Sequence, residues 1–332
     1  MRRLKRYICL VGLLALLAAA LTGCGFSDDS VEELFTLPRM AEEYTGLTQE
    51  LEALITQGYE YASPTGGRNI QSVQMADLDG DGQQEALAFF RMSSDEKPLK
   101  IFVFKIEGDS YARYCTIESS GTAIDSVYYQ DLNGDGRREL IVGWRISAEV
   151  QTVAVYTVAR EPVALMSSGY TRFTIQDLNG DGIPSLLVLR TDADSQPVAE
   201  FYGWQDEQMG VAYRCVLSST MASVNRGSLV SGRLDADTPA LYITGVDEQG
   251  MAATDILVFR QDLGLVNLAL SGSSTGVSNA VFPYRQLLPQ DINGDGIIEL
   301  PSPDTSWTAE QTDGLVSWLC CDGDGQLSTV AN

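Results

Sequence analysis

The chain has 332 residues, with 45 acidic and 22 basic side chains, a formal net charge of −23 and no histidine. The missing histidine excludes Ser-His-Asp and Cys-His catalysis and His-ligated zinc, leaving carboxylates, Lys, Tyr or a metal for any chemistry. A surface this acidic repels phosphate backbones, which excludes nucleic acid as a partner.

The chain opens on Arg2, Arg3, Lys5 and Arg6, followed by a nearly unbroken apolar run from Tyr7 to Leu21. That run is too short and wrongly flanked for a membrane span. Leu21-Thr22-Gly23-Cys24 follows directly and resembles a bacterial lipobox. Residues 1–23 are therefore read as a lipoprotein signal peptide, with Cys24 lipidated at the mature N-terminus. The competing reading is an ordinary signal peptide with an incidental Cys24. Lipidation is preferred because the small residues and the cysteine fall where cleavage is due. A diacylglyceryl cysteine carries two chains, enough for stable anchoring. The expected location is extracytoplasmic, on the bacterial cell membrane, with the lipid anchor as the membrane contact. Removing the leader leaves 18 basic against 45 acidic residues, a net charge of −27, which favours cations as partners.

Residues 24–67 are expected to form a helical segment and a linker. Ser30 with Glu33 fits a capping box. Pro38 separates two short helical pieces; Leu47, Leu51, Leu54 and Ile55 form one apolar stripe, and Gly58 is the stop. Ala62-Ser63-Pro64-Thr65-Gly66-Gly67 is a turn-rich link.

From residue 68 the helical period gives way to strands. Apolar residues at period two precede each of several Asp-rich loops: Val73 and Met75, Val127 and Tyr129, Phe173 and Ile175, Leu287 and Pro289. Second strands are expected over 86–90, 140–144, 186–189, 241–244 and 297–300, and third strands over 101–104, 153–156, 199–202, 256–259 and 316–320. Fourth strands are expected over 111–116, 163–166, 212–216, 265–268 and 327–330. About five units of four strands predict an all-β chain, a β-propeller over residues 68–332. A twisted β-sandwich is the alternative, but it would not explain the regular recurrence. Cys115 and Cys215 stand in similar contexts and are read as equivalent buried strand positions, not as disulfide partners.

The loops share the pattern Asp-x-Asp/Asn-x-Asp-Gly, beginning at Asp77, Asp131, Asp177 and Asp291, with a worn copy at Arg233. Starts lie 54, 46, 56 and 58 residues apart. Calcium takes six to eight oxygens. A nine-residue loop can supply side chains from positions 1, 3, 5 and 9 and a backbone carbonyl from position 7. The first loop offers Asp77, Asp79, Asp81, the Gln83 carbonyl and Glu85. The second offers Asp131, Asn133, Asp135, the Arg137 carbonyl and Glu139. The last offers Asp291, Asn293, Asp295, the Ile297 carbonyl and Glu299. The third has Asp177, Asn179, Asp181 and the Ile183 carbonyl, but Ser185 at position 9, so weaker binding is expected there. The worn copy keeps only Asp235 and Asp237 and is expected to bind nothing.

An EF-hand or dockerin-like module needs Glu at position 12 between helices; here that position holds Ala88, Val142, Val188 and Ser302, between strands. Asp/Asn/Gly turns without metal are the plainer alternative, but four loops with one carboxylate spacing favour calcium. Magnesium prefers rigid octahedral sites and keeps its waters.

The pattern Asp-x-Asp/Asn-x-Asp-Gly-x-x-Glu between two strands resembles the FG-GAP/VCBS repeat family, which includes the calcium loops of integrin α-subunit propellers. The resemblance spans about residues 68–331 and implies a calcium-stabilised propeller used for adhesion or ligand binding. The expected function is a cell-surface calcium-binding lipoprotein that acts as a ligand-binding, adhesion or scaffolding module for a protein or glycan. The alternative is a calcium-assisted polysaccharide lyase or glycosidase. Trp144, Trp204, Trp307 and Trp318 could stack on sugars, though packing within the blades is their expected use.

Overall fold

The computed structural model describes residues 44–268, 270–271, 281–282, 285–286, 288–303 and 316–330. The expected signal peptide, Cys24, the Ser30–Glu33 capping box, Leu287 and Trp307 lie outside the described residues. The chain divides into two compact units, 1–45 and 46–332. All the sheets belong to the second.

Helix α1 spans Thr45–Thr56 and buries Leu47, Leu51 and Leu54. The expected stripe is corrected at Ile55, which is 48% exposed. The helix ends as its sequence requires. Gly58 takes φ +95°, its N–H donates to the Ile55 carbonyl at 3.0 Å, and the Tyr59 N–H donates to the Leu54 carbonyl at 3.2 Å. This paired closure is a Schellman motif, and it needs a residue that tolerates positive φ.

Four antiparallel sheets follow, each built of strands adjacent in sequence. The first contains β1 (Glu60–Tyr61), β2 (Val73–Ala76), β3 (Glu85–Arg91), β4 (Leu99–Glu107) and β5 (Ser110–Ser119). Both β1 and β2 pair with β3. The two residues of β1 fall where only a turn-rich link is expected. The second sheet has β6 (Ala123–Gln130), β7 (Glu139–Arg145), β8 (Gln151–Thr157) and β9 (Val163–Gly169). The third has β10 (Arg172–Gln176), β11 (Ser185–Thr191), β12 (Pro197–Gln205) and β13 (Gln208–Val216). A short helix α2 (Met221–Val224) leads to the fourth: β14 (Leu229–Arg233), β15 (Pro239–Val246), β16 (Ala252–Arg260) and β17 (Gly264–Asn267), with β18 (Leu270–Ser271) also on β16.

Beyond these lie a β19–β20 hairpin (Val281–Phe282, Arg285–Gln286) and a sheet of β21 (Leu300–Pro303), β22 (Val316–Cys321) and β23 (Leu327–Thr329). A Gln290–Glu299 bridge precedes β21. It repeats the pairing of Ala76 with Glu85 and of Gln130 with Glu139 in the first two sheets. The fifth unit thus has three described strands, and its second strand begins at Leu300 rather than Ile297.

Hydrophobic layers join successive sheets. Leu87, Phe89, Ile101 and Val103 of the first sheet pack with Val127, Leu140, Val142 and Trp144 of the second. Ile141, Val153 and Val155 meet Leu186, Val188 and Tyr202 of the third. Leu187, Leu189 and Phe201 meet Leu241, Ile243 and Leu257 of the fourth, and Tyr242 and Val258 meet Ile298 and Leu300 of the fifth. Middle strands are therefore buried on both faces, which is why β3 and β7 read as near-continuous apolar runs rather than alternating ones. Burying one such Leu, Ile or Phe contributes about 1.5–3 kcal/mol.

The opposite face of the first sheet carries Phe90 and Phe102. There Tyr59 packs edge-on, with ring centroids 6.2 and 5.3 Å away.

The bulges recur too. Pairing of the third and fourth strands slips at Val103/Phe104, Val155/Tyr156 and Phe201/Tyr202, and such slips add local twist. This register corrects the cysteine reading. Ala199 pairs with Cys215, but the equivalent pair in the first sheet is Ile101–Ile117; Cys115 pairs with Val103, one step along. Cys115 is buried, Cys215 only partly, and both thiols are free.

Candidate metal centre

Each Asp-rich loop joins the first two strands of its sheet or precedes β21, and neighbouring loops touch. The Arg138 N–H of the second loop donates to the Leu78 carbonyl of the first at 2.7 Å. The Ile298 N–H of the last donates to the Arg233 carbonyl of the worn copy at 3.0 Å. Gly80, at φ +74°, sits so close to the second loop that a Cβ there would lie 2.5 Å from the Gly136 carbonyl oxygen.

Inside the loops the side chains at positions 1, 3 and 5 turn inward because backbone N–H groups hold them. Asp77 accepts from Gly80 and Gly82 at 2.8 and 3.2 Å, and Asp131 from Gly134 and Gly136 at 2.6 and 2.9 Å. Asp177 accepts from Gly180 and Gly182 at 2.7 and 2.8 Å, and Asp291 from Gly294 and Gly296 at 2.6 and 2.8 Å. Those bonds hold the Asp291 carboxyl below the usual carboxylate range. The N–H groups of Gln83, Arg137, Ile183 and Ile297 each donate at 2.8 Å to the position-5 Asp: Asp81, Asp135, Asp181 and Asp295.

Position 3 divides the loops. Asn133, Asn179 and Asn293 donate a side-chain N–H to the position-5 Asp at 3.2, 2.7 and 2.9 Å. Asp79 cannot donate. In its loop Lys105 donates instead, to Asp79 and to Asp81, the latter at 3.1 Å. The Gln83 N–H and Lys105 hold Asp81 below the usual range, and hydrogen bonding to Asp79 holds the Lys105 ammonium above its ordinary value.

Position 9 closes three loops from below. Glu85, Glu139 and Glu299 accept the N–H of Leu78, Leu132 and Ile292 at 2.8, 2.8 and 3.0 Å. These carboxylates are 2%, 3% and 1% exposed. Burial pushes the Glu139 carboxyl up to about 6 and raises that of Glu85 as well. The third loop forms without such a residue; Ser185 simply begins β11. In the worn copy Asp235 accepts from Asp237 and Thr238 at 3.0 and 2.9 Å, and the Arg233 guanidinium donates to the Ala236 carbonyl at 3.0 Å.

Asp77, Asp79 and Glu85 bring one oxygen each within 4.8 Å of one another, the one such acidic trio among the described residues. Glu85 Oε1 is buried and has no hydrogen-bond partner; the Lys105 ammonium stands 3.8 Å away. A buried carboxylate oxygen left unpaired is costly, and a cation would satisfy it. This trio could hold a metal ion. A divalent ion bound there would bring more positive charge to the three converging carboxylates than the single Lys105 ammonium does.

Sequence reasoning misses Lys105, and it gives Trp204 only as a packing residue that could stack on a sugar. Trp144 is core, but Trp204 is half-buried and its indole N–H donates to the Leu132 carbonyl of the second loop at 2.8 Å. It lines a cavity of about 680 Å³ together with Asp79, Asp135, Arg137 and Arg138.

No protein-family model and no curated protein matches the chain. Among solved structures it is similar to the rhamnogalacturonan lyase PL11 of Bacillus licheniformis, at TM-score 0.33 and 14% identity over 74% of this chain and 70% of that one. It is also similar to a hypothetical protein from Leishmania major, at TM-score 0.27 and 14% identity over 84% and 92% of the two chains. A GDP-Man-dependent mannosyltransferase, MPT-1, from Leishmania mexicana aligns at TM-score 0.22 and 9% identity over 82% and 79%. Likenesses at these TM-scores establish neither fold nor function.

Proposed function

We propose that the protein is an extracytoplasmic, lipid-anchored, calcium-binding module that binds or scaffolds a surface protein or glycan. Its sheets are blades of an FG-GAP/VCBS-type propeller array. The observation that carries this reading is the Asp77–Asp79–Glu85 trio with its buried, unpaired Glu85 oxygen. The second and last loops support it with the same inward side chains and the same buried position-9 Glu. Face-to-face hydrophobic layers and loops that touch their neighbours support the blade arrangement. Tyr59 sits on the face of the first sheet that a closed ring would offer to its last blade, so the array is read as capped there.

In this reading calcium neutralises the crowded carboxylates and couples metal binding to folding. The cavity beside the first two loops, with exposed Arg137 and Arg138, is where a ligand would meet the metal rim.

Thermal melting of the mature chain with calcium and with chelator tests the metal claim: calcium should raise the midpoint by several degrees, and identical melts would refute it. Capture of a partner from envelope extracts only in calcium would support the binding role. Turnover of a polysaccharide by the purified chain would favour the lyase or glycosidase reading instead.

A further inference from the structure

Lys105 sets the first loop apart. It lies on β4, one residue beyond Phe104, which pairs with Ala86. The residues at the same register in the other units are Thr157, Gly203, Val258 and Cys320. None of them carries a positive charge. Among the four loops that keep the full Asp-x-Asp/Asn-x-Asp-Gly pattern, the first is also the one with Asp rather than Asn at position 3. Where Asn is present, its amide bridges to the position-5 Asp. Asp79 and Asp81 are both acceptors, and two carboxylates held face to face repel. The Lys105 ammonium donates to both and stands 3.8 Å from the unpaired Glu85 oxygen. A tethered monovalent cation therefore occupies the point where the loop's carboxylates converge.

We propose that Lys105 is a built-in competitor for calcium at the first loop. At low calcium its ammonium holds the loop folded. Metal enters only when Lys105 swings out, so this loop fills after the second and last loops. The inference rests on the calcium reading above. Movement of Lys105 is feasible because its side chain is 24% exposed and ends on a flexible four-carbon stem. The trio it leaves behind is fully anionic, which would make the vacated loop the strongest of the set.

The test compares calcium-binding isotherms of the mature chain as wild type, Lys105→Met, and Lys105→Met with Asp77→Asn. Met keeps the apolar stem and removes the charge. All three are prepared in calcium and then exchanged into stepped calcium concentrations, so a variant that needs metal to fold can still be measured. The expected result is one additional equivalent bound at low calcium in Lys105→Met, a step tightened about tenfold or more. That equivalent should disappear in the double variant. If wild type and Lys105→Met bind calcium with the same isotherm, the competitor role is overturned while the calcium reading stands. If neither binds calcium at all, both fall.

Discussion

Glu139 accepts the Leu132 N–H at 2.8 Å, closing the second loop from beneath while the rest of the carboxylate is buried. This one bond separates structural from metal roles. Glu139→Gln keeps an acceptor for Leu132 and loses the charge, so in chelator it should match wild type near pH 4.5 and exceed its stability at neutral pH, while calcium binding weakens. Glu139→Ala leaves a buried N–H unpaired and should cost about 1–3 kcal/mol even without metal. Denaturant unfolding in chelator, beside calcium titration, checks both.

The same residue sets a pH dependence. Burial raises its folded-state value to about 6, above that of an exposed glutamate. The folded, metal-free chain therefore holds this proton more tightly than the unfolded chain does. Its contribution to stability is fully present below the unfolded value and is lost as pH rises through about 6. Relative to Glu139→Gln, chelated wild type should lose stability between about pH 4.5 and 7. A difference that stays flat across that range would contradict this. Because protons and metal compete for the carboxylate, calcium affinity should fall as pH drops through the same window.

Gly80 and Gly82 make a second matched pair. Both have positive φ, +74° and +85°, but only at Gly80 would a Cβ strike a neighbour, the Gly136 carbonyl of the next loop. Gly82→Ala should cost about 1–2 kcal/mol for the left-handed backbone alone. Gly80→Ala should cost more, and should loosen the contact between the first two loops. Denaturant midpoints of the two variants provide the comparison; equal losses would show that the loops do not press on each other.

Helix α1 offers a third. Leu54 is fully buried and Ile55 is 48% exposed, although they are adjacent in one apolar stripe. Leu54→Ala should cost about 2–5 kcal/mol, and Ile55→Ala should fall within about 0.5 kcal/mol of wild type. Similar losses at both positions would mean that the helix packs through a wider face.

The Asp-rich loops and the four-strand units were legible because their signals are contiguous: a nine-residue pattern between period-two and apolar runs. The side chains at positions 1, 3 and 5 turn inward as the spacing implies. What escaped was set by register and by distance along the chain. Lys105 is 26 residues from Asp79 and reaches it only because β3 and β4 pair as they do. Cys115 and Cys215 look alike in local sequence, but a shorter β11–β12 connection shifts one against the other by a pairing step. Ile55 satisfies the helical period but faces solvent at the last turn. The two-residue β1 is too short to announce itself among turn residues.

Titration calorimetry of the chelator-stripped chain measures calcium binding itself. Saturable binding is expected at the second and last loops, in the range of about 10⁻⁴–10⁻³ M, abolished step by step by Asp131→Asn and Asp291→Asn. An isotherm with no saturable heat in millimolar calcium, or one that both substitutions leave unchanged, would contradict it.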